Sequence, residues 1–414
     1  MRGGALSEEG SRSPRLLLAL SSLAHFVNDG TTFFVPVIAA LLAELRGFST
    51  LDVTVLFVVY YLTSSLFGLV IGWWADRRGR PGTLMSVGIG VLALGLFGFY
   101  VALAGVAGPS DFVVSLLAGA VTGFATSFYH PLGASILQRA YPPERRGTAL
   151  GINGAFGSLG RALYPSLFAL VALALVTSDS ILLFAAVALG AAVLIRWGVR
   201  PSRPNATIPT PSTALGARDS MTTGIVRLTA LSFFRSMALM GIAVWIPTYL
   251  TVARGVSTGG SLGLAVTVMY VGGILGQPVF GLAAGRLDRR LLIGISSAGA
   301  SVGTLLYLGS SGMAAQGLLF TIGFFTFSAF PLLMSLSAEY VPKGSSTLAN
   351  AAVFGLGSGG GGTVGPLLVG ALAAASFGSI ALGFEVMAVL GIVAAFLVVL
   401  LPRGGRAQGK VLFG

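Results

Sequence analysis

The sequence contains no cysteine, only two histidines and few charged residues. The lack of cysteine excludes a disulfide framework, thiolate metal sites and cysteine nucleophiles. Asp, Glu, Lys and Arg together make up 9% of the 414 residues, against about 25% in ordinary globular proteins. A water-soluble protein of this length could not cover its surface with so few charges. The composition therefore excludes a soluble enzyme or regulator.

Hydrophobic residues are abundant where charged residues are few. Hydrophobic residues make up 55% of the chain, and the mean hydropathy of +0.90 is spread along the whole sequence. The net charge of +12 would suit a nucleic-acid-binding protein. However, the arginines fall in short clusters between apolar runs, so no nucleic-acid partner is expected. The composition is that of a membrane protein that crosses the bilayer many times.

A helix needs about 20 apolar residues to cross the hydrocarbon core of a bilayer. Twelve such runs predict an all-α integral membrane protein with twelve transmembrane helices, arranged as two pseudo-symmetric six-helix bundles. The predicted spans are 16–43, 52–75, 82–106, 111–138, 147–174, 178–198, 225–252, 260–284, 291–311, 314–340, 346–374 and 379–401.

A polar gap rich in Pro, Ser and Thr separates the two sets of six runs and has little to bury. The predicted units are an N-terminal segment, an N-terminal bundle, a linker, a C-terminal bundle and a C-terminal tail. Their ranges are 1–15, 16–198, 199–224, 225–402 and 403–414.

The basic residues predict the orientation. Of the 25 lysines and arginines, 21 fall at loops or ends on one side of the predicted membrane, and Arg46 and Arg254 fall on the other. Arg161 and Arg235 lie inside spans. Because cytoplasmic loops carry the excess of Lys and Arg, both termini, the linker and the tail are expected in the cytoplasm. A plasma or inner membrane location follows.

The two halves resemble each other. Residues 128–132 read FYHPL, and residues 328–332, two hundred positions later, read SAFPL. The second span is followed by GWWADRRGR at 72–80, and the eighth by GLAAGRLDRR at 281–290. Two equivalent six-helix bundles are what a rocking-bundle carrier requires, with its substrate held where the bundles meet.

The pattern G-x-x-x-D-R-x-G-R at 72–80 resembles the cytoplasmic signature loop of the major facilitator superfamily. In that family, the Asp and Arg of the loop form a charge-relay lock that stabilises the outward-open state. The second-half copy has a glycine in the acidic position, so the resemblance implies no symmetric lock there. The residues to which it assigns the lock are Gly72, Asp76, Arg77, Gly79 and Arg80.

A narrower resemblance is to the fosmidomycin-resistance branch of the superfamily. It rests on H-x-x-N-D at 25–29 in the first span, FYHP at 128–131 in the fourth and RRGTAL at 145–150. In the superfamily, the first, fourth, seventh and tenth helices line the cavity. The resemblance extends that role to His25, Asp29, His130, Arg235 and Phe330.

Asp29 lies well inside the first span, about 21 Å past Arg15 at 1.5 Å per residue. His25 and Asn28 share its helical face. An ionisable group in a span costs roughly 2.5–3.5 kcal/mol and usually faces a cavity or a partner. A carboxylate beside an imidazole is suited to taking up and releasing a proton. The alternative is a hydrogen-bonded pair that fixes helix packing.

His130 and two arginines are the other candidates. Pro131 favours a kink beside His130, which is either a cavity residue or a satisfied histidine at the kink. Arg161 and Arg235 carry the planar guanidinium that matches carboxylate and phosphate oxygens. Each is interpreted as a contact for an anionic substrate, and Arg235 alternatively as a partner of Asp29 across the interface.

The sequence offers no motif for ATP hydrolysis and no hydrolytic triad, so no enzyme activity and no cofactor are predicted. The two histidines are isolated in the sequence, and no metal site is expected. The prediction is a monomeric secondary-active transporter that works by alternating access and couples proton flow to efflux of a small organic molecule, anionic or drug-like. The alternatives are an uptake carrier for a small organic acid or sugar phosphate, and a membrane receptor or scaffold that transports nothing.

Overall fold

The computed structural model describes residues 13–78, 81–141, 143–199, 222–257, 260–284, 286–340, 349, 352–376 and 379–403. Within these ranges the chain is built of helices. The α-helices, numbered here in chain order, are α1 Pro14–Arg46, α2 Thr50–Arg78, α3 Pro81–Leu103, α4 Asp111–Thr126, α5 Tyr129–Ala140, α6 Pro143–Val171, α7 Thr177–Gly198, α8 Thr223–Thr248, α9 Gly260–Ala283, α10 Arg289–Leu308, α11 Gly312–Ser328, α12 Phe330–Tyr340, α13 Gly360–Ala375 and α14 Ile380–Phe396. Two π-helical segments, Tyr249–Ala253 and Ala352–Gly359, continue α8 and precede α13.

Eleven helical stretches in the described part of the chain are long and apolar enough to cross a membrane. Helix α6, at 29 residues, has the length for a twelfth but is less apolar, because it contains Asn153 and Arg161. The all-helical fold is confirmed, and twelve spans are consistent with it. The predicted fourth and tenth spans differ in one respect, since each consists of two helices, α4 with α5 and α11 with α12.

The two interrupted spans break at equivalent places in the two halves. Helix α5 begins two residues before Pro131, and α12 begins one residue before Pro331. A proline has no N–H for the carbonyl four residues earlier, and its ring clashes with that carbonyl. Those carbonyls belong to Ser127 and Phe327, at the ends of α4 and α11. The kink expected at Pro131 is therefore a full break that starts a new helix.

The buried side chains show where the two halves meet. At the end opposite the chain termini, a single apolar cluster joins both halves and includes residues from α1, α2, α8 and α9. At the end bearing the termini, hereafter the terminal end, each half has its own cluster, typified by Leu20, Met85 and Ile195 in the first and by Ile225, Leu292 and Leu336 in the second. The bundles are thus packed together at the opposite end and separate toward the terminal end.

Small residues allow the closest helix contacts. A Cβ on Gly160 of α6 would lie 2.2 Å from the Phe26 carbonyl oxygen of α1, and one on Gly365 of α13 would lie 2.0 Å from the Met237 carbonyl oxygen of α8. Real Cβ atoms do not approach backbone oxygens so closely. These glycines allow α1 and α8 to pack closely against α6 and α13.

Replacing Gly160 with alanine is expected to destabilise the protein by about 1–3 kcal/mol, because the new methyl group overpacks against backbone that cannot move aside. Gly154→Ala is the matched control on the same helix, since a Cβ at Gly154 meets nothing within 4 Å. Thermal unfolding in detergent should show a lower Tm for Gly160→Ala than for Gly154→Ala. Equal Tm values would mean that α1 and α6 are not packed this closely.

Candidate functional site

Four ionisable side chains meet where α1, α5 and α6 come together. Asp29 is at the centre, with its side chain 5% exposed. One carboxylate oxygen, Oδ2, lies 3.3 Å from His25 Nε2 and 3.6 Å from Arg161 Nη1. The other, Oδ1, lies 3.4 Å from His130 Nε2 and accepts a hydrogen bond of 3.2 Å from Asn28 Nδ2. Five of the six predicted binding residues are therefore in one cluster.

Local sequence explains this convergence. His25 and Asp29 are one helical turn apart, so both point from the same face of α1. His130 follows the break between α4 and α5, which carries it to that face. Gly157 of α6 makes room for the His25 ring, because a Cβ there would lie 2.3 Å from His25 Nε2.

A hydrogen-bonded shell fixes the His25 ring. His25 Nδ1 lies 2.8 Å from the backbone oxygen of Asn153 and 3.1 Å from its side-chain Oδ1. Tyr129 donates a hydrogen bond of 2.7 Å to the same Oδ1, and its ring stacks on that of His25 with centroids 4.5 Å apart. Asn153 Nδ2 donates to Ser21 Oγ at 3.4 Å. These contacts fix the position of His25 Nδ1.

Arg161 joins the cluster to both halves of the protein. It donates a hydrogen bond of 2.7 Å to Ser158. Its guanidinium carbon lies 5.3 Å from the ring centroid of Phe33 in α1 and 5.3 Å from that of Phe327 in α11. Cations are attracted to aromatic faces at this separation. One charge therefore contacts Asp29 and an aromatic ring from each bundle.

The cluster is reached through His130. Its side chain is 36% exposed, while that of Asp29 is 5% exposed. The His130 ring contacts Phe354 of the second half, and Phe354 contacts Phe330, with centroid separations of 5.1 Å and 5.4 Å. Phe330 is itself exposed. These rings lie on the side of the cluster toward the terminal end, where the apolar clusters of the two halves separate.

Arg235, the sixth predicted binding residue, lies outside the cluster. Its Nη2 donates to the Thr326 carbonyl oxygen at 2.7 Å and to Ser296 Oγ at 3.1 Å, within the second bundle. No acidic side chain among the described residues is within ion-pairing distance of it. The pairing with Asp29 considered from the sequence is thus not formed, and Arg161 holds that place. The physical reason is the break at Ala329, which leaves carbonyls at the C-terminal end of α11 for a cation to satisfy.

We expect Arg235 to contribute to stability independently of Asp29. Arg235→Met should lower the free energy of unfolding by about 2 kcal/mol, because buried carbonyls lose a charged donor. Combined with Asp29→Asn, its effect should be additive within about 0.5 kcal/mol, since the two residues share no partner. Unfolding of the two single variants and the double variant measures the coupling. A coupling above about 1 kcal/mol would instead indicate that the two charges depend on each other.

The expectation that the two histidines are isolated is wrong. The ligand-type atoms of His25, Asp29 and His130 lie within 4.8 Å of one another, because folding brings the first and fourth spans together. These residue types could hold a transition metal. The guanidinium of Arg161 on the same carboxylate opposes the entry of a metal cation.

The predicted conformational lock lies outside the part of the chain whose side chains are described; its members are Gly72, Asp76, Arg77, Gly79 and Arg80. The matching loop of the second half is described in part. There Asp288 pairs with Arg290, which holds the pKa of the Asp288 carboxyl below its usual value. Arg289 pairs with Glu339, which ties α10 to the end of α12.

The supporting residues of the site were not among those predicted from the sequence. Asn153 and Ser158 are polar residues in the fifth predicted span, and Tyr129 directly precedes His130, so a signal was present for each. Phe33 and Phe327 carried no signal, because one aromatic residue among many apolar ones does not reveal its partner.

The chain matches the sequence model of the Major Facilitator Superfamily over residues 19–262 and 228–411. Over 410 residues it is 27% identical to the fosmidomycin resistance protein of Escherichia coli K12, covering 95% of this chain and 96% of that protein. It is 23% identical to a probable sulfoacetate transporter of Cupriavidus necator, covering 67% of this chain and 66% of that protein.

The fold is similar to that of a bacterial homologue of the human lysosomal transporter Spinster. The crystal structure of that homologue in an inward-facing, occupied conformation superposes with a TM-score of 0.73 at 15% sequence identity. The alignment covers 95% of this chain and 97% of the other. The same homologue in an inward-facing, unoccupied conformation gives a TM-score of 0.66 at 16% identity.

Proposed function

This chain belongs to the Major Facilitator Superfamily, and from that premise we propose that it is a proton-coupled secondary transporter that exports a small organic anion by alternating access. Membership in the family makes it a multi-pass membrane transporter rather than an enzyme. Coupling to protons, the class of cargo and the direction are the proposal. The observation that carries it is the cluster that two histidines and Arg161 form around the buried Asp29.

Proton coupling is supported by the residues around Asp29. Histidine is the side chain whose charge changes most readily near neutral pH. Here both histidines of the protein face the same buried carboxylate. Ionisable residues within spans commonly mark proton pathways. A cluster that exchanges a proton at the bundle interface can link protonation to the movement of the bundles.

An anionic cargo is supported by Arg161. Its guanidinium stays charged and can present two parallel donors to a carboxylate, sulfonate or phosphonate. It lies at the meeting point of the two bundles, where carriers of this architecture bind substrate. The relative named as a probable sulfoacetate transporter is consistent with this class, since sulfoacetate carries two acidic groups.

Orientation follows from the distribution of basic residues. If the terminal end faces the cytoplasm, as the excess of Lys and Arg on that side predicts, the described conformation is open inward and closed outward. Cargo would then reach Arg161 past His130 from the cytoplasm of a plasma or inner membrane. Loading from inside is the arrangement that export requires, and the relative named for fosmidomycin resistance supports that direction.

Uptake of a small organic acid is the second candidate. The position of Arg161 beside Asp29 favours this candidate. A proton bound at that site would add to the positive charge of Arg161, and the site would then attract an anion more strongly. Proton and anion would then travel together down the inward proton gradient. A protein that transports nothing is disfavoured, because the buried charges would have no role to offset their cost in the membrane.

The test is transport by purified protein in proteoliposomes, with sulfoacetate and fosmidomycin as cargo. A pH gradient is imposed first in one direction and then in the other. If the protein exports cargo by exchange, cargo and protons cross the membrane in opposite directions. If it takes up cargo together with protons, both cross in the same direction. Flux of either cargo that is the same with and without a pH gradient would overturn proton coupling.

A further inference from the structure

The two nitrogens of the His25 ring have different surroundings. Nδ1 is 2.8 Å from the backbone oxygen of Asn153 and 3.1 Å from Asn153 Oδ1. A backbone carbonyl can only accept a hydrogen bond, so Nδ1 must carry a hydrogen. Tyr129 donates to Oδ1 of Asn153 at 2.7 Å, which turns that oxygen toward His25. Unprotonated His25 is therefore the tautomer with hydrogen on Nδ1 and a lone pair on Nε2.

That lone pair faces a carboxylate. His25 Nε2 lies 3.3 Å from Asp29 Oδ2. In the neutral tautomer, both atoms are acceptors, and no hydrogen lies between them. A proton that enters here binds Nε2, converts the ring to imidazolium and forms a charge-assisted hydrogen bond to Oδ2. Its release restores the lone pair. His25 and Asp29 can therefore hold one exchangeable proton, on the line between Nε2 and Oδ2.

The other groups around Asp29 do not occupy the position between His25 Nε2 and Asp29 Oδ2. Arg161 Nη1, 3.6 Å from Oδ2, favours the ionised carboxylate, and Asn28 donates to Oδ1. His130 Nε2 is 3.4 Å from Oδ1 and can donate to it as a neutral ring. Apart from these groups, the titratable side chains of the described residues that interact with the cluster include the hydroxyls of Tyr60 in α2, Tyr129 in α5 and Tyr270 in α9, and a tyrosine is neutral in the physiological range.

We infer that the proton coupled to transport binds at Nε2 of His25 rather than on the carboxylate of Asp29, and that Asn153 and Tyr129 are positioning residues that fix the His25 tautomer. The inference rests on the proposed proton coupling and specifies its chemistry. Asp29 then serves as the constant counter-charge for the imidazolium and for Arg161. The two histidines have different roles, although both contact the same carboxylate.

The chain allows a direct test because it contains only two histidines. Protein labelled with ¹⁵N at histidine, without a histidine tag and reconstituted in nanodiscs, gives two ring spin systems, and His130→Gln identifies the one from His25. At high pH, His25 should show a protonated Nδ1 and an unprotonated Nε2. As the pH falls, Nε2 should gain a proton. A His25 ring that carries its hydrogen on Nε2 at high pH would overturn the inference.

A functional measurement separates this inference from the proposed function. Proton movement per transported anion is followed in proteoliposomes for the wild type, His25→Gln and Asp52→Asn, whose side chain lies outside the cluster and pairs with Ser49. We expect coupling to be lost in His25→Gln and kept in Asp52→Asn. Wild-type coupling that survives in His25→Gln would refute the inference and leave the proposed function standing. An uncoupled wild type would refute the proposed function itself. If His25→Gln fails to fold, the wild-type spectrum still decides the tautomer.

Tyr129→Phe tests the positioning role. Without the hydroxyl, the Asn153 side chain is free to turn away from His25, which removes one of the two acceptors from Nδ1. This should shift the pH midpoint of transport while the maximal rate stays within about twofold. A residue that only supports packing would lower the yield of folded protein without moving the midpoint. An unchanged midpoint together with an unchanged His25 spectrum would remove Tyr129 from the mechanism.

Discussion

Asp29→Asn is expected to reduce transport driven by a pH gradient by about 100-fold, the upper part of the usual range for coupling between two sites. The substitution removes the charge that His25, His130 and Arg161 share, while the amide keeps the shape of the side chain. Arg161 retains its hydrogen bond to Ser158 and its two aromatic contacts, so the protein should still fold. Flux into proteoliposomes with an imposed pH gradient measures the effect.

The control is Asp52→Asn. Asp52 is a half-buried acid in the first turn of α2 that accepts hydrogen bonds from the backbone N–H and the hydroxyl of Ser49, and asparagine keeps an acceptor oxygen at that position. Its flux should match that of the wild type. Gradient-driven flux in Asp29→Asn that is within about twofold of the wild type would contradict the role assigned to Asp29.

The second large effect is expected for Arg161→Lys, which should weaken equilibrium binding of sulfoacetate by about 10- to 100-fold, or roughly 1.4–2.8 kcal/mol. Lysine keeps the charge but loses the planar fork that matches acidic oxygens. It also loses the flat guanidinium that contacts the rings of Phe33 and Phe327. Binding to purified protein in detergent, measured by calorimetry, reports the change.

Arg235→Lys is the matched control, because Arg235 is also an arginine within a span and donates to Thr326 and Ser296 rather than facing the cluster. It should lower thermal stability and leave the affinity for sulfoacetate within about threefold of the wild type. A large loss of affinity in Arg235→Lys with normal affinity in Arg161→Lys would move the substrate contact to Arg235.

The helices could be predicted from the sequence because the cost of burying polar groups in lipid makes each span a long apolar run. The same cost made Asp29, His25 and His130 visible as candidates, since each is an ionisable residue within such a run. The breaks in the fourth and tenth spans were only partly predictable. Pro131 indicated a kink, but whether a helix bends or restarts depends on what satisfies the freed carbonyls.

The partners of each charge could not be predicted, because they lie far apart in the sequence. Arg161 and Arg235 looked equivalent, as single arginines in apolar spans, and only tertiary packing places one beside Asp29 and the other at the end of α11. Asn153 acts on His25 from a position 128 residues away. Such contacts depend on how α6 packs on α1, which Gly157 and Gly160 allow but do not reveal.

The most direct test of the account is proton movement caused by cargo alone. Proteoliposomes with equal pH on both sides contain a pH-sensitive dye, and sulfoacetate is added outside. Proton coupling at Asp29 predicts a change of internal pH that accompanies sulfoacetate transport by the wild type and is absent in Asp29→Asn. The sign of this pH change distinguishes exchange of protons for sulfoacetate from transport of both in the same direction. Sulfoacetate entering the wild-type vesicles at a normal rate with no change of internal pH would contradict proton coupling at the Asp29 cluster.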